Sequence, residues 1–273
     1  MQTSQRLDRM FTAIREYAQA YQSYKACGVD RTLNSNDREW SGEGAWAVNH
    51  YFDVGEDALR LIVATLISTG RSFPKRILDF PSGSGRVTRY LRAFFPEAEI
   101  WASDIHQTHL TFCCDQFGVK TKASLEDFTK LTFEAEFDLV FCGSLLTHLT
   151  QRDAEAALAM ISRSLSPTGI AIVTFHGRHS SHVQRHKWKY VEDELFHIAE
   201  DRVGTTGFGF VGYQGDVRDQ LSAQAAYGVS LIKPRWPIVQ LEADSSIRIL
   251  GYSERAWDDH QDVVIFGHPG VDE

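Results

Sequence analysis

The sequence predicts an α/β fold built round a largely parallel sheet, and three observations carry the prediction. Between residues 76 and 175 short apolar runs alternate with amphipathic stretches. This is the pattern of strand–helix–strand units, whose crossovers set neighbouring strands parallel. The first run, Arg76–Phe80, opens directly into a loop of small residues and then a helix. The second, Glu99–Ser103, is followed at once by Asp104, at the strand end where open α/β sheets bind their ligands.

The elements follow in order. Leu7, Met10, Phe11, Ile14, Tyr17, Ala18 and Tyr21 recur at three- and four-residue spacings, so residues 5–26 read as an amphipathic helix. Residues 27–52 are polar, glycine-dotted and interleaved with Trp40, Trp46, Tyr51 and Phe52, and read as an ordered loop or lid. A second helix spans 55–69 and stops at Gly70. Strands are then expected at Arg76–Phe80, Glu99–Ser103, Lys120–Ala123, Asp138–Cys142 and Gly169–Phe175, with helices at Gly85–Phe95, Thr108–Phe117 and Arg152–Leu165. Pro167–Gly169 reads as a turn. Residues 176–230 break the rhythm and are rich in histidine, glycine and aromatics, with Gly204–Gln214 reading as a glycine-rich hairpin or loop. A helix resumes near Pro234, and a strand pair, Ile247–Tyr252 and Asp262–Phe266, closes the pattern.

Composition bounds the function. The 273 residues carry 28 Lys and Arg against 36 Asp and Glu, a net charge of −8. An acidic balance disfavours polyanion binding, which needs surplus cations, so no nucleic-acid partner is expected. Hydrophobic residues make up 43%, enough for a full core. The start is polar, and no apolar run reaches membrane-spanning length. Cys27, Cys113, Cys114 and Cys142 form no C-x-x-C pair, which suits reduced thiols in a cytoplasmic protein.

The strongest local signal is Asp79-Phe-Pro81-Ser82-Gly83-Ser-Gly85 between the first strand and its helix. Glycines let a ligand approach the backbone, and the helix N-terminus offers N–H groups. Asp104 can accept hydrogen bonds from both hydroxyls of a ribose there, or it can be a turn or helix-cap aspartate.

These residues resemble the class I S-adenosylmethionine-dependent methyltransferases, whose motif is an apolar strand, an acidic residue and x-G-x-G-x-G. Pro81 stands in place of the first glycine; Gly83 and Gly85 match the other two. Ser124-Leu125-Glu126-Asp127 stands at the family's adenine-contacting loop, with Ser124 in the usual aspartate position and Glu126 or Asp127 as substitutes. Phe137–Leu149 resembles the fourth-strand segment that faces the methyl donor. Through residues 55–175 and 230–266 the resemblance implies a Rossmann-like, mostly parallel seven-stranded sheet flanked by helices, its last strand antiparallel. It implies a methyltransferase domain over 55–273, an N-terminal helical cap over 1–54 and an insertion after strand 5 at about 176–230. It implies S-adenosylmethionine as methyl donor, contacted by Asp79, Pro81, Ser82, Gly83, Gly85, Asp104, Ile105, Ser124, Leu125, Glu126, Cys142, Gly143 and Ser144.

Rival chemistries lack their signatures. Dinucleotide-binding G-x-G-x-x-G needs a glycine where Thr88 stands. Tyr21 and Lys25 make a Tyr-x-x-x-Lys set, but ahead of the first strand. The Asn/Asp-Pro-Pro-Tyr/Phe of base-methylating relatives is replaced by Cys142-Gly143-Ser144-Leu145. A non-catalytic binding module and a nicotinamide oxidoreductase stay as alternatives. His179, His182 and His186 share one helical face near Asp193 and Glu194; they read as a solvated polar helix, and no resident metal is expected. His148 and His176 follow strands 4 and 5. Each is a candidate general base, since a neutral imidazole takes a hydroxyl proton near pH 7, and His148 can equally cap the next helix. Tyr51, Tyr213, Arg255, Trp257 and His260 are the candidate contacts to a small-molecule or glycan acceptor, with Trp188 and Tyr190 as further aromatic walls.

Overall fold

The computed structural model describes residues 2–40, 45–214 and 226–269. The elements are α1 (Gln2–Cys27), α2 (Ala45–Ser68), β1 (Arg76–Asp79), α3 (Thr88–Phe94), β2 (Glu99–Asp104), α4 (Gln107–Phe117), β3 (Lys120–Ala123), β4 (Phe137–Cys142), α5 (Gln151–Arg163) and β5 (Leu165–His176). They continue as α6 (His179–His186), α7 (Asp193–Thr206), β6 (Phe208–Gly212), β7 (Gly228–Ile232), α8 (Arg235–Glu242), β8 (Arg248–Trp257) and β9 (Gln261–Gly267). Seven strands form one sheet in the order β3-β2-β1-β4-β5-β9-β8, and β6 and β7 form a separate pair. The expected α/β architecture with antiparallel closing strands is present. Among the described residues no helix is long and apolar enough to cross a membrane.

The chain divides into two compact units, Met1–Ala123 with Phe137–Phe141 and Ser124–Glu136 with Cys142–Glu273. In the first, β1 pairs parallel with β2 and β4, placing Ile77 level with Ile100 and Leu139. Those side chains are fully buried, as continuous apolar runs covered on both faces should be. The α1 stripe packs through Ala13, Tyr17 and Tyr24, and Tyr17 stacks on Phe73 at 4.5 Å. In the second unit β9 runs antiparallel to both β5 and β8. Helix α5 starts at Thr150, whose hydroxyl accepts from the Asp153 N–H and donates to its carboxylate at 2.6 Å; this reciprocal cap anchors the chain just beyond His148. The β6–β7 pair packs Val211, Val229 and Leu231 against Phe196 and Ala199 of α7.

Four sequence expectations are corrected. Residues 45–52 are the start of α2 rather than loop, because Ala47, Tyr51, Val54, Ala58, Ile62 and Leu66 continue one buried stripe. The helix after the glycine loop starts at Thr88, not Gly85; Gly85 has φ 80, outside the right-handed helical region. Strand β5 starts at Leu165, so Pro167–Gly169 is extended rather than turned. Gly204–Gln214 does not form a hairpin with itself: α7 runs to Thr206, and β6 pairs with β7.

Candidate active site

In the first unit the loop after β1 is held from three sides. The Ser82 N–H donates to the Ser103 carbonyl at 2.9 Å. The Gly83 N–H donates to Asp104 Oδ2 at 2.9 Å, and the His106 N–H to Asp104 Oδ1 at 2.8 Å. Gly83 takes φ 51, and a Cβ built on it would meet nothing within 4 Å. The loop therefore offers bare backbone to open space at Gly83, where a ligand can approach closely. Gly85 is different: at φ 80 its missing Cβ would lie 2.4 Å from the Phe117 ring, so that glycine is required by packing. Pro81, in the first glycine's place, follows a cis Phe80–Pro81 peptide.

The two acidic residues of the motif sit in different environments. Burial pushes the Asp104 carboxyl upward, but His109 with Nδ1 3.6 Å away, and the N–H groups of His106 and Gly83, outweigh burial and hold it below the ordinary carboxylate range. Asp104 thus serves as the turn aspartate considered from sequence and remains an anion at the strand end. Asp79 is fully buried, and burial pushes its carboxyl up to about 7 despite a 2.6 Å hydrogen bond from Thr88 Oγ1. Its polar end is turned to α3. Ile105, just past Asp104, is 40% exposed.

A strap over residues 28–40 is fastened to this loop. The buried Asn34 donates to Ser84 Oγ at 2.9 Å. The guanidinium of Arg89, itself 1% exposed, donates to the carbonyls of Gly85, Asp30 and Thr32 at 3.0, 2.9 and 3.0 Å. It also lies over the rings of Tyr51 and Phe52. Tyr51, an expected acceptor contact, is 1% exposed and donates to Asp37 Oδ2 at 3.0 Å. The sequence analysis did not single out Asn34, Asp37 or Arg89.

In the second unit, Ser124 is half-buried while Leu125 and Glu126 are exposed. Asp127 is engaged by Thr129 and Lys130, which hold its carboxyl down at about 2. Cys142 is fully buried. Beyond Gly143, Ser144 takes φ 57 and joins a closed ring of hydrogen bonds. Its N–H donates to Thr174 Oγ1 at 2.8 Å, Thr174 donates to Gln261 Oε1 at 2.5 Å, and Gln261 donates to Ser144 Oγ at 2.7 Å. This ring ties together the ends of β5 and β9 and the residues following β4.

Next to it the structure gathers histidines and tyrosines distant in sequence. His148 Nδ1 is 2.8 Å from the Gly228 carbonyl, so Nδ1–H donates there and Nε2 is the nitrogen left to exchange a proton. The Tyr213 hydroxyl is 3.3 Å from the same Nδ1, and Tyr227 stacks on the ring at 4.7 Å. His176 is 3% exposed, with ring centroids 6.5 Å from His148, 5.9 Å from His260 and 4.6 Å from Tyr190. Burial first, then the neighbouring His148 and His260, lowers its pKa well below the ordinary range, so it is neutral. His260 donates from Nδ1 to the Asp258 carbonyl at 2.8 Å and meets Trp188 at 5.5 Å.

Of the expected acceptor contacts in this unit, Tyr213 and His260 join the cluster. Trp257 is buried at the end of β8, and Arg255 is held by Asp259. Tyr227 was not anticipated; it reaches His148 only through the β6–β7 pairing. His179, His182 and His186 stack along α6 at 5.2 and 4.5 Å. Among the described residues no three His, Cys, Asp or Glu side chains are grouped to hold a metal ion.

Comparison with known proteins agrees with this architecture. A family profile described as a methyltransferase domain matches residues 77–169. An uncharacterized protein of Synechococcus sp. is 37% identical over 103 residues, 35% of this chain. The match spans only 24% of that relative's length. Among solved structures, an S-adenosylmethionine-dependent methyltransferase from Clostridium acetobutylicum superposes with a TM-score of 0.51 at 15% identity, covering 94% of this chain and 99% of that one. DesVI of Streptomyces venezuelae superposes with a TM-score of 0.53 at 13% identity, covering 80% and 92%. These two likenesses are of fold. The profile match falls on the stretch from β1 to β5 that holds the glycine loop and the strand-end carboxylate. Residues 77–169 thus match a methyltransferase domain, and the sheet round them has the fold of an S-adenosylmethionine-dependent methyltransferase structure.

Proposed function

We propose that this protein transfers a methyl group from S-adenosylmethionine to an oxygen or nitrogen of a small-molecule or glycan-type acceptor. One observation carries the donor assignment: the bare, positive-φ backbone at Gly83 bonded to an ionised, buried Asp104 at the end of the next strand. Asp104 offers carboxylate lone pairs to ribose hydroxyls. The open space over Gly83 admits an amino-acid moiety, and the loop Phe80–Gly85 contains no cation of the kind a pyrophosphate would need. When bound, the donor supplies a methyl group activated by a sulfonium.

The chain's own residues then have separable tasks. Thr88 fixes Asp79, and through it the entry to the loop. Residues 1–54 act as a cap, fastened through Asn34 to Ser84 and through Asp30 and Thr32 to Arg89. Pro81, Ser82, Gly83, Gly85, Asp104 and Ile105 line the donor's seat. His148 and His176 are the candidate bases that accept the proton the acceptor loses, and the insertion at 176–230 supplies aromatic walls. Orientation does much of the remaining work, since holding reactants in a near-attack geometry replaces a bimolecular encounter.

The test is formation of S-adenosylhomocysteine by the full chain with panels of phenols, alcohols and amines. Turnover with any panel supports the assignment. Donor binding without turnover on any acceptor points to a binding module. Retention of a nicotinamide cofactor in place of the methyl donor overturns it.

A further inference from the structure

Helix α1 carries two apolar stripes, and the fold covers one of them. Ala13, Tyr17 and Tyr24 are buried, with Met10 and Ala20 half-buried beside them. Leu7, Phe11, Ile14, Ala18 and Tyr21 make the other stripe and lie on the surface. Leu7 and Phe11 are each 52% exposed, Tyr21 47% and Ile14 36%. Apolar side chains exposed singly need no explanation, whereas a continuous row marks an interaction surface. The spacing along this row runs four, three, four, three. That alternation is the heptad seam through which helices pack side by side, with Phe11 and Ala18 at the a positions and Leu7, Ile14 and Tyr21 at d.

The residues flanking the seam select its occupant. Asp8 and Arg15 both stand at e positions, and both are exposed. Being two turns apart, they do not face each other within the helix; Arg15 donates to Thr12 Oγ1 at 3.3 Å. When two identical helices pack antiparallel, a positions meet d positions and e positions flank e positions. With Phe11 set against Ile14 of a second copy, Leu7 meets Ala18 and Asp8 comes beside Arg15. The two-fold axis repeats each pairing, so four apolar layers are flanked by two opposite charge pairs, and the long Leu7 faces the small Ala18. Sliding the register by one heptad sets Arg15 against Arg15, or Asp8 against Asp8. A parallel in-register pair gives Arg15 the half-buried Met10 as neighbour in place of a carboxylate. Charge complementarity and side-chain size therefore agree on one arrangement.

We propose that the stripe from Leu7 to Tyr21 is the interface of a homodimer, in which two copies of α1 pack antiparallel with Phe11 opposite Ile14 and Asp8 opposite Arg15. Helix α1 is already held on its own fold by Tyr17, which stacks on Phe73, so pairing does not have to order it first. The stripe is short and the interface small, so the dimer forms only as concentration rises. The pairing asks nothing of the methyl-donor site, and its failure leaves that assignment standing.

Sedimentation velocity of the full chain over a range of concentrations reads the dimer directly. The wild type is expected to pass from monomer to dimer as concentration increases. Phe11 lies in two symmetry-related layers, so Phe11→Glu should weaken the dimer about a hundredfold. Arg15→Asp turns both attractive pairs repulsive and should weaken it about tenfold. Adding Asp8→Arg to Arg15→Asp exchanges the charges and should restore the wild-type affinity to within about twofold. Thermal melting checks that each variant stays folded, as changes on an exposed face should allow. A wild type that stays monomeric at every concentration overturns the proposal, as does a dimer indifferent to Phe11→Glu. An exchange of charges that does not restore the dimer overturns the antiparallel pairing. A monomer that sediments instead with phosphatidylcholine vesicles makes the stripe a membrane-facing surface and overturns it as well.

Discussion

The glycine loop of the first unit and the histidine cluster of the second are built on opposite principles. In the loop, backbone groups are matched: Ser82 to Ser103, and Gly83 and His106 to Asp104. The strap adds Asn34 on Ser84, while the buried Arg89 Nη2, Ser103 Oγ and His109 Nδ1 round the loop complete no hydrogen bond. In the cluster, side chains from β5 and the segments round it converge, and contacts between rings take the place of backbone hydrogen bonds. A site held by backbone groups is fixed by its neighbours in sequence. A site held by side chains takes its shape from residues far apart in the chain. The pairing teaches which half is generic to the fold and which half is particular to this chain.

The comparison can be broken in several ways, and the largest effect concerns Asp79. Its folded carboxyl titrates near 7, above its unfolded value. The protonated form is therefore favoured by folding. The stability it brings is fully present below about pH 4 and is lost as pH rises through about 7, a fall of roughly 4 kcal/mol. Urea denaturation from pH 4 to 8 should show that decline in the wild type and a flatter profile in Asp79→Asn. Next comes Gly85→Ala. A Cβ 2.4 Å from Phe117 at φ 80 combines steric overlap with an unfavourable backbone region, and should cost about 3 kcal/mol in the same assay. Asn34→Ala removes the buried partner of Ser84 and should cost about 1–2 kcal/mol. The smallest change has the opposite sign. Ser180→Ala deletes an unmatched buried hydroxyl and should raise stability by about 0.5–1 kcal/mol.

The same contrast explains what the sequence could disclose. The glycine loop was legible because local rules act on neighbouring residues. An apolar strand, small residues and a helix stand in order within Arg76–Leu91, and Asp104 follows the next strand. The sheet order was legible from the strand–helix alternation and the family resemblance together. The strap was not, because Asn34 and Arg89 owe their roles to contacts 50 or more residues apart. Residues 45–52 looked like loop because Asn49, His50 and Asp53 interrupt the apolar stripe, yet Ala47, Tyr51 and Val54 carry it through on one face. In the cluster, His148 and His176 were legible from their place after strands 4 and 5. The partnership of His148 with Tyr227 was hidden, since it depends on β6 pairing with β7 across an intervening segment. Trp257 and Arg255 looked available from their turn-rich surroundings, but one is buried and the other is held by Asp259.

The most direct test of the central claim is calorimetric titration of S-adenosylmethionine into the wild type and Asp104→Ala. The wild type should bind the donor. The variant loses the charged acceptor that the ribose hydroxyls would meet, and should bind about a hundredfold more weakly. Equal affinity in the two proteins would contradict the assignment of the Gly83–Asp104 junction as the donor's seat.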